Sequence, residues 1–296
     1  MSVYSPSQTK DHGFCPLYWW LRREGWSNAE LTQREAAMLT GVGFAAGVAS
    51  YNHLRVASGD RPSRDMWSAI IGTGKEIVSY YVEQFKETHR FADTFNPTAV
   101  LTDTEAALSY YMDNDPFDAS WKILDVELTL PEHGYARIDL GVEAPDGALA
   151  VVDYKVKMNL QARYYDAEVN KYAYDHQQYH YAWGYGVMKE RKVERYYIAL
   201  MVLRPQKSVK LHPYSIDPEY AQDWQHFSQN AWDRMDVLKE HPEQLTQNPE
   251  HQNQYGPCPF KNACLIYKLD PLLMAAKEYV QAKRVKHTVP GEEVKE

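Results

Sequence analysis

Cysteine is almost absent. Three residues, Cys15, Cys258 and Cys264, in a chain of 296 cannot make a disulfide framework, so the fold must rest on its apolar core. Long apolar runs are missing too. The longest, around Val42 to Ala49, is far too short to span a bilayer, and no membrane association is expected. The opening residues, MSVYSPSQTK, hold no apolar leader, so the expected location is cytoplasmic. Positive charge is in deficit: the formal net charge is −8, whereas proteins that hold nucleic acid by charge alone are usually basic. There is no internal repeat and no low-complexity linker.

What is present suits one large domain, or one domain with a helical annex, because 44% of the residues are hydrophobic. Tyrosine (23) and tryptophan (8) are plentiful; such rings can stack on unpaired bases, but most serve packing. Basic residues cluster at Arg22-Arg23, at Lys189 with Arg191, Lys192 and Arg195, and at Lys283 with Arg284 and Lys286. These read as solvated faces more readily than as phosphate contacts. Helical patterns come first: a short helix after Pro16, one from the capping-box pattern Ser27-x-x-Glu30 towards Ala46, one over Asp65 to Thr88, and one from Thr102-x-x-Glu105 to about Met112. Asn52 to Ser63 is polar and reads as a loop. Strands follow at Trp121 to Leu130 and in a central hairpin. A helix over Asn159 to Met188 leads to a strand at Arg195 to Leu203 and its partner at Ser208 to Tyr214. Pro218 to Lys239 is helical, Asn248 to Cys264 loop-like, and Asp270-Pro271 starts a last helix to about Val285. This order predicts an α/β fold, a mixed central sheet flanked by helices with helical additions at both ends.

The hairpin organises the rest. Pro145-Asp146-Gly147 is a turn signature: Pro presets φ, Asp can bond its own backbone, and Gly supplies φ > 0. Ile138, Leu140 and Val142 alternate before it, and Leu149, Val151 and Val152 follow it. Asp139 and Asp153 each lie seven residues from Asp146, so a symmetric hairpin sets them face to face, with Cβ atoms about 5 Å apart. Two carboxylates so placed repel unless a cation sits between them. Lys155, two residues beyond Asp153, shares its face. Two acids, an amine and nearby carbonyls suit a hard divalent cation that keeps several waters, such as Mg²⁺. The bland alternative is a surface ion pair.

These residues carry a resemblance. Asp139, followed by Asp153-Tyr154-Lys155 after a hydrophobic run, resembles the PD-(D/E)XK nuclease core. ARID…VVDYK is similar to its RecB-like exonuclease branch, which also holds AddB-type and CRISPR-associated nucleases. Gln177-Gln178-Tyr179-His180-Tyr181 matches that branch's Q-x-x-x-Y motif. SPSQTKDHGFCPLYWWL near the start and Cys258-Pro-Phe-Lys-Asn-Ala-Cys264 near the end resemble its opening and closing segments. The resemblance implies one nuclease domain over 1–296: a helical part at 1–115, a catalytic core at 116–215 and a helical C-terminal part at 216–296. It implies a Mg²⁺- or Mn²⁺-dependent deoxyribonuclease, an exonuclease acting on single-stranded DNA or duplex ends in recombination, repair or phage replication. A helicase or recombination protein would be the partner. Such an enzyme needs carboxylates, and bound metal offsets some of the negative charge. A non-catalytic DNA-binding scaffold and an RNA nuclease are the competing readings.

The resemblance makes Asp139 and Asp153 metal ligands, Lys155 the residue at the attacking water, and Gln177 and Tyr181, which share a helix face, their substrate-side support. Glu127, folded back to within one residue of Asp139, can join the metal shell or be an ordinary strand residue. Gly72-Thr73-Gly74-Lys75-Glu76 is similar to a family element whose final histidine binds metal; here an oxygen ligand, Glu76, stands instead. Family members with an iron–sulfur cluster use one early cysteine and a closing C-x₂-C-x₅-C. Cys15, Cys258 and Cys264 fit, but Tyr255 replaces one thiolate. A cluster with an unusual fourth ligand, a zinc site using His12 or His251, and plain packing all stay open.

Overall fold

The computed structural model describes residues 15–24, 26–130, 136–173 and 175–241, with 244, 252–253, 256–257, 260 and 279–281. Its centre is a five-stranded sheet of β4 (Lys122–Leu130), β5 (Ala136–Glu143), β6 (Leu149–Lys157), β7 (Arg195–Val202) and β8 (Ser208–Ser215), in that spatial order. The first three run antiparallel, β6 and β7 are parallel, and β8 returns antiparallel at the edge. The sheet is thus mixed, as expected. The single parallel step needs a crossover, supplied by α5 (Tyr165–Tyr172) and α6 (His176–Met188).

The β5–β6 turn forms as its chemistry demands. Gly147 takes φ 85°, its N–H donates to the Ala144 carbonyl at 2.8 Å, and Ala144 N–H reaches the Ala148 carbonyl at 2.9 Å. This is a three-residue loop with glycine in the left-handed position.

Each face of the sheet has its own core. On one, Val151 of β6 and Ile198 and Leu200 of β7 pack against Tyr172, Tyr181 and Tyr185 of α5 and α6. On the other, Tyr154, Val156 and Met201 meet a helical layer built from α2 (Gln33–Ser58), α3 (Trp67–Thr88) and α4 (Pro97–Asp113), through Phe44, Val48, Ile70, Leu108 and Tyr111. Burying each such aliphatic chain contributes about 1.5–3 kcal/mol. α2 and α3 cross closely: a Cβ on Gly74 would lie 2.5 Å from the Gly43 carbonyl oxygen. α7 (Pro218–Glu240) covers α6 from outside, with Trp224 Nε1 donating to His180 Nδ1 at 3.1 Å.

Residues 26–28 and 279–281, far apart in sequence, pair. α1 (Pro16–Arg23) precedes β1 (Trp26–Asn28), which pairs antiparallel with β11 (Tyr279–Gln281). A short parallel pair joins β2 (Glu30–Leu31) to β3 (Arg90–Phe91), and β9 (Gln252–Asn253) pairs with β10 (Gly256–Pro257).

Several expectations are corrected. The capping box is Thr32 with Glu35, not Ser27 with Glu30: Glu35 accepts from Thr32 N–H at 2.8 Å. Asn52 to Ser58 is helix rather than loop, and Gly59 ends it in the left-handed conformation. α4 starts at Pro97 under an Asn96 cap, ahead of Thr102. Asn159 to Met188 is not one helix, since α5 stops at Tyr172 and Asp175 caps a new start for α6. Residues 279–281 are strand where a last helix was expected; the remainder of that segment and the tail lie outside the described residues.

Candidate active site

The ladder from Leu140↔Val152 to Glu143↔Leu149, continued by one step, sets Asp139 opposite Asp153. At that point the pairing opens, and Asp139 Oδ2 takes the Tyr154 backbone N–H at 2.8 Å. The Tyr154 side chain points to the other face, where Asn52 and Tyr111 bond its hydroxyl at 3.2 and 3.0 Å. Tyr154 thus serves both layers: its ring anchors the helices while its amide holds an acid.

Lys155 Nζ lies 2.6 Å from Asp153 Oδ2. That contact lacks ideal hydrogen-bond geometry, and among the described residues no well-aligned donor meets Asp153 Oδ2 although it is buried. Gln177 spans the site. Its Oε1 is 3.5 Å from Lys155 Nζ, and its Nε2 donates to the Tyr181 hydroxyl at 2.5 Å. Asp175 starts α6 by accepting the Gln177 N–H at 3.1 Å, so a helix cap aims the amide.

Glu127 falls in the slot between the pairs Val126↔Leu140 and Leu128↔Ile138, and so stands opposite Asp139. Its φ of 51° is a left-handed conformation that costs a non-glycine residue of order 1 kcal/mol. Arg137 Nε holds its carboxylate at 2.7 Å. The sequence reading missed Arg137, although the signal was there: two residues before Asp139, it projects from the same face.

Four acids, Asp139, Asp153, Glu127 and the Asp175 felt by both Asp153 and Lys155, against two bases leave this patch short of positive charge. Burial, then Asp153, then Glu127 push Asp139 up to about 8, against the opposing pull of Lys155 and the Tyr154 amide. Burial raises Asp153 and Glu127 too, opposed by Lys155 and Arg137 respectively. Burial alone would lower Lys155, but Asp153 and Asp139 outweigh it and hold the ammonium above its ordinary range. Lys155 is therefore a charged donor at neutral pH.

A sign follows for the metal-free protein. Asp139 ionises near 4 in an unfolded chain and near 8 in the fold, so the fold holds the extra proton between those values. Its contribution to stability is full at low pH and is lost as pH rises through that window, by up to about 1 kcal/mol per unit. Urea unfolding in EDTA at pH 5, 6 and 7 will show this slope, and Asp139→Asn will flatten it.

A divalent cation fits the deficit. Asp139 and Asp153 offer oxygens from adjacent strands, and one of these, Asp153 Oδ2, meets no well-aligned donor among the described residues. Among the described residues, no group of three or more His, Cys, Asp or Glu side chains is arranged to hold a metal by itself; waters and substrate oxygens would have to complete the shell.

Glu76 is exposed on α3, where it lines a shallow hollow with Gly72, Thr73 and Ser79, and the structure gives it no bond to the carboxylate pair. Cys15 is buried and caps α1, its Sγ accepting the Tyr18 N–H at 3.4 Å. Cys258 and Cys264 are outside the described residues. Phe260, between them in sequence, sets its ring 5.7 Å from that of Tyr18 on α1.

A model of the PD-(D/E)XK nuclease superfamily matches residues 3–265. The chain belongs to that superfamily, whose members typically use Mg²⁺ or Mn²⁺. Among solved structures, the chain is similar to a crystal structure of a protein from Eubacterium rectale named "Putative exonuclease". Identity is 15% and the TM-score 0.45, over 84% of this chain and 85% of that one; so distant a likeness carries no functional argument. No curated protein matches. No helix of the described residues is long and apolar enough to cross a membrane.

Proposed function

We propose that the protein is a Mg²⁺- or Mn²⁺-dependent deoxyribonuclease that acts on DNA ends. The observation that carries this reading is the half-buried Asp139 beside the buried Asp153, with a charged Lys155 2.6 Å from Asp153. Asp139 and Asp153 would hold the metal. When bound, such a cation lowers the pKa of its water and offsets charge growing on the phosphate. Lys155, as an ammonium, donates to the attacking water or to the phosphoryl oxygen that gains charge. Gln177 holds Lys155 from one side and the Tyr181 hydroxyl from the other, and so fixes the direction of that donor. Arg137 keeps Glu127 paired beside Asp139. Water oxygen bonds to phosphorus as the bridging P–O bond breaks; of that water's two protons one passes through solvent to the departing oxygen, and the other stays on the new phosphate or is released to solvent.

Exonuclease action rests on the motif resemblance to the RecB-like branch. It is tested by a time course on 5′- and 3′-labelled single strands and duplexes in Mg²⁺, Mn²⁺ and EDTA. Stepwise shortening that stops in EDTA is expected. Intact DNA under every metal would leave the non-catalytic scaffold instead.

A further inference from the structure

Three of the basic residues conspicuous in the sequence are each held by a carboxylate. Lys189 pairs with Asp125 at 2.7 Å, Arg191 with Glu143 at 2.9 Å, and Arg195 with Asp146. Lys192 is exposed without an ion pair among the described residues, and Lys283, Arg284 and Lys286 lie outside them; another group of unpaired cations gathers elsewhere. Arg163, Lys207 and Lys210 are exposed, and none makes an ion pair among the described residues. Two of them lie over tyrosine rings instead: Arg163 Cζ is 4.7 Å from the centroid of Tyr164, and Lys210 Nζ 5.3 Å from that of Tyr165. Lys157 and Lys171 share one carboxylate, Glu168. Residues 157–172 and 207–215 thus hold five lysines and arginines against Asp166 and Glu168, in a chain of net charge −8.

This patch continues the candidate site. Lys157 follows Lys155 by two residues on the same face of β6, about 7 Å further along. The segment 158–164 then leads into α5, and Lys210 reaches the α5 residue Tyr165 from the edge strand β8. Tyr164, at the start of that helix, is 53% exposed.

We infer that this surface, from Lys157 through Arg163 and Tyr164 to Lys210, is the track of an unpaired DNA strand at the scissile phosphate. The inference rests on the nuclease reading. Cations spaced among tyrosines neutralise a backbone and stack its bases together. A duplex hides its base faces and has no use for the exposed ring of Tyr164; an unpaired strand has.

The test is fluorescence anisotropy in EDTA, so that nothing is cut, with labelled oligo-dT, a blunt duplex and oligo-U. Arg163→Ala/Lys207→Ala/Lys210→Ala is expected to weaken oligo-dT binding at least tenfold and to lower the salt slope by about two. Tyr164→Ala is expected to weaken it about tenfold, with Tyr164→Trp restoring it. Duplex binding should change less than threefold. All substitutions are at exposed positions, and unchanged melting curves will show that the variants fold. Oligo-dT binding equal to the parent's overturns the inference, whether or not the parent cleaves DNA. Equal losses on the duplex, or oligo-U bound as tightly as oligo-dT, overturn the unpaired-DNA assignment. A parent that binds through this patch but never cleaves sinks the nuclease reading and leaves the track standing; a parent that binds no DNA overturns both.

Discussion

Asp153→Asn and Lys155→Met are each expected to cut DNA cleavage at least about a thousandfold, some 4 kcal/mol of transition-state stabilisation. Both replacements keep the shape of the side chain and remove its charge. They should pull stability in opposite directions. Asp153→Asn removes a buried acid and relieves Asp139, whose pKa Asp153 raises; the metal-free protein should melt no lower than the parent. Lys155→Met leaves two acids without their cation and should melt lower. The double variant should be hardly slower than either single one, because groups acting on one step are not additive. Cleavage retained within tenfold in either single variant would remove these residues from the site, whatever the melting curves show.

The hairpin was legible because its information is local. Pro145-Asp146-Gly147 fixes the turn, and the turn fixes which acids face each other; no distant residue is needed. α2 was misread for the opposite reason. Asn52 and Arg55 look like loop residues by polarity, yet both are buried within a helix. Their partners, the Tyr154 hydroxyl and the Asp115 carboxylate, lie far off in sequence. A polar residue satisfied at long range is indistinguishable in sequence from one satisfied by water. The break between α5 and α6 was hidden too, since Tyr and Gln continue through it and the signal is one cap, Asp175. Glu127 is a third kind of case. Alternation alone would have it share a regular ladder with Asp139, whereas the strand departs from regularity there with a left-handed residue. Such local conflict between pattern and backbone is expected where a site is built.

The helical layer depends on one acid, and Asp115→Ala is expected to cost about 3–5 kcal/mol in urea unfolding. Its side chain is wholly buried. It accepts from Arg55 at 2.9 Å, from the Tyr51 hydroxyl at 3.0 Å and from the Phe117 N–H at 3.0 Å, and Arg61 Nε stands at 3.3 Å. Burial raises its pKa while the Phe117 amide and both arginines pull it down. Removing it strands the Arg55 guanidinium, 9% exposed, whose remaining partner among the described residues is the Asp118 carbonyl at 2.9 Å. Asp115→Leu with Arg55→Met removes both charges and should recover most of the loss, because the penalty lies in the unpaired partner rather than in the missing pair. The effect on cleavage should be small while the protein is folded. Asn52 lies one turn before Arg55 and still bonds Tyr154, whose amide holds Asp139. Rates within tenfold of the parent are expected well below the melting transition. A folded Asp115→Ala protein with cleavage lost would mean that the helical layer sets the geometry of the acids and does not merely support the sheet beneath them.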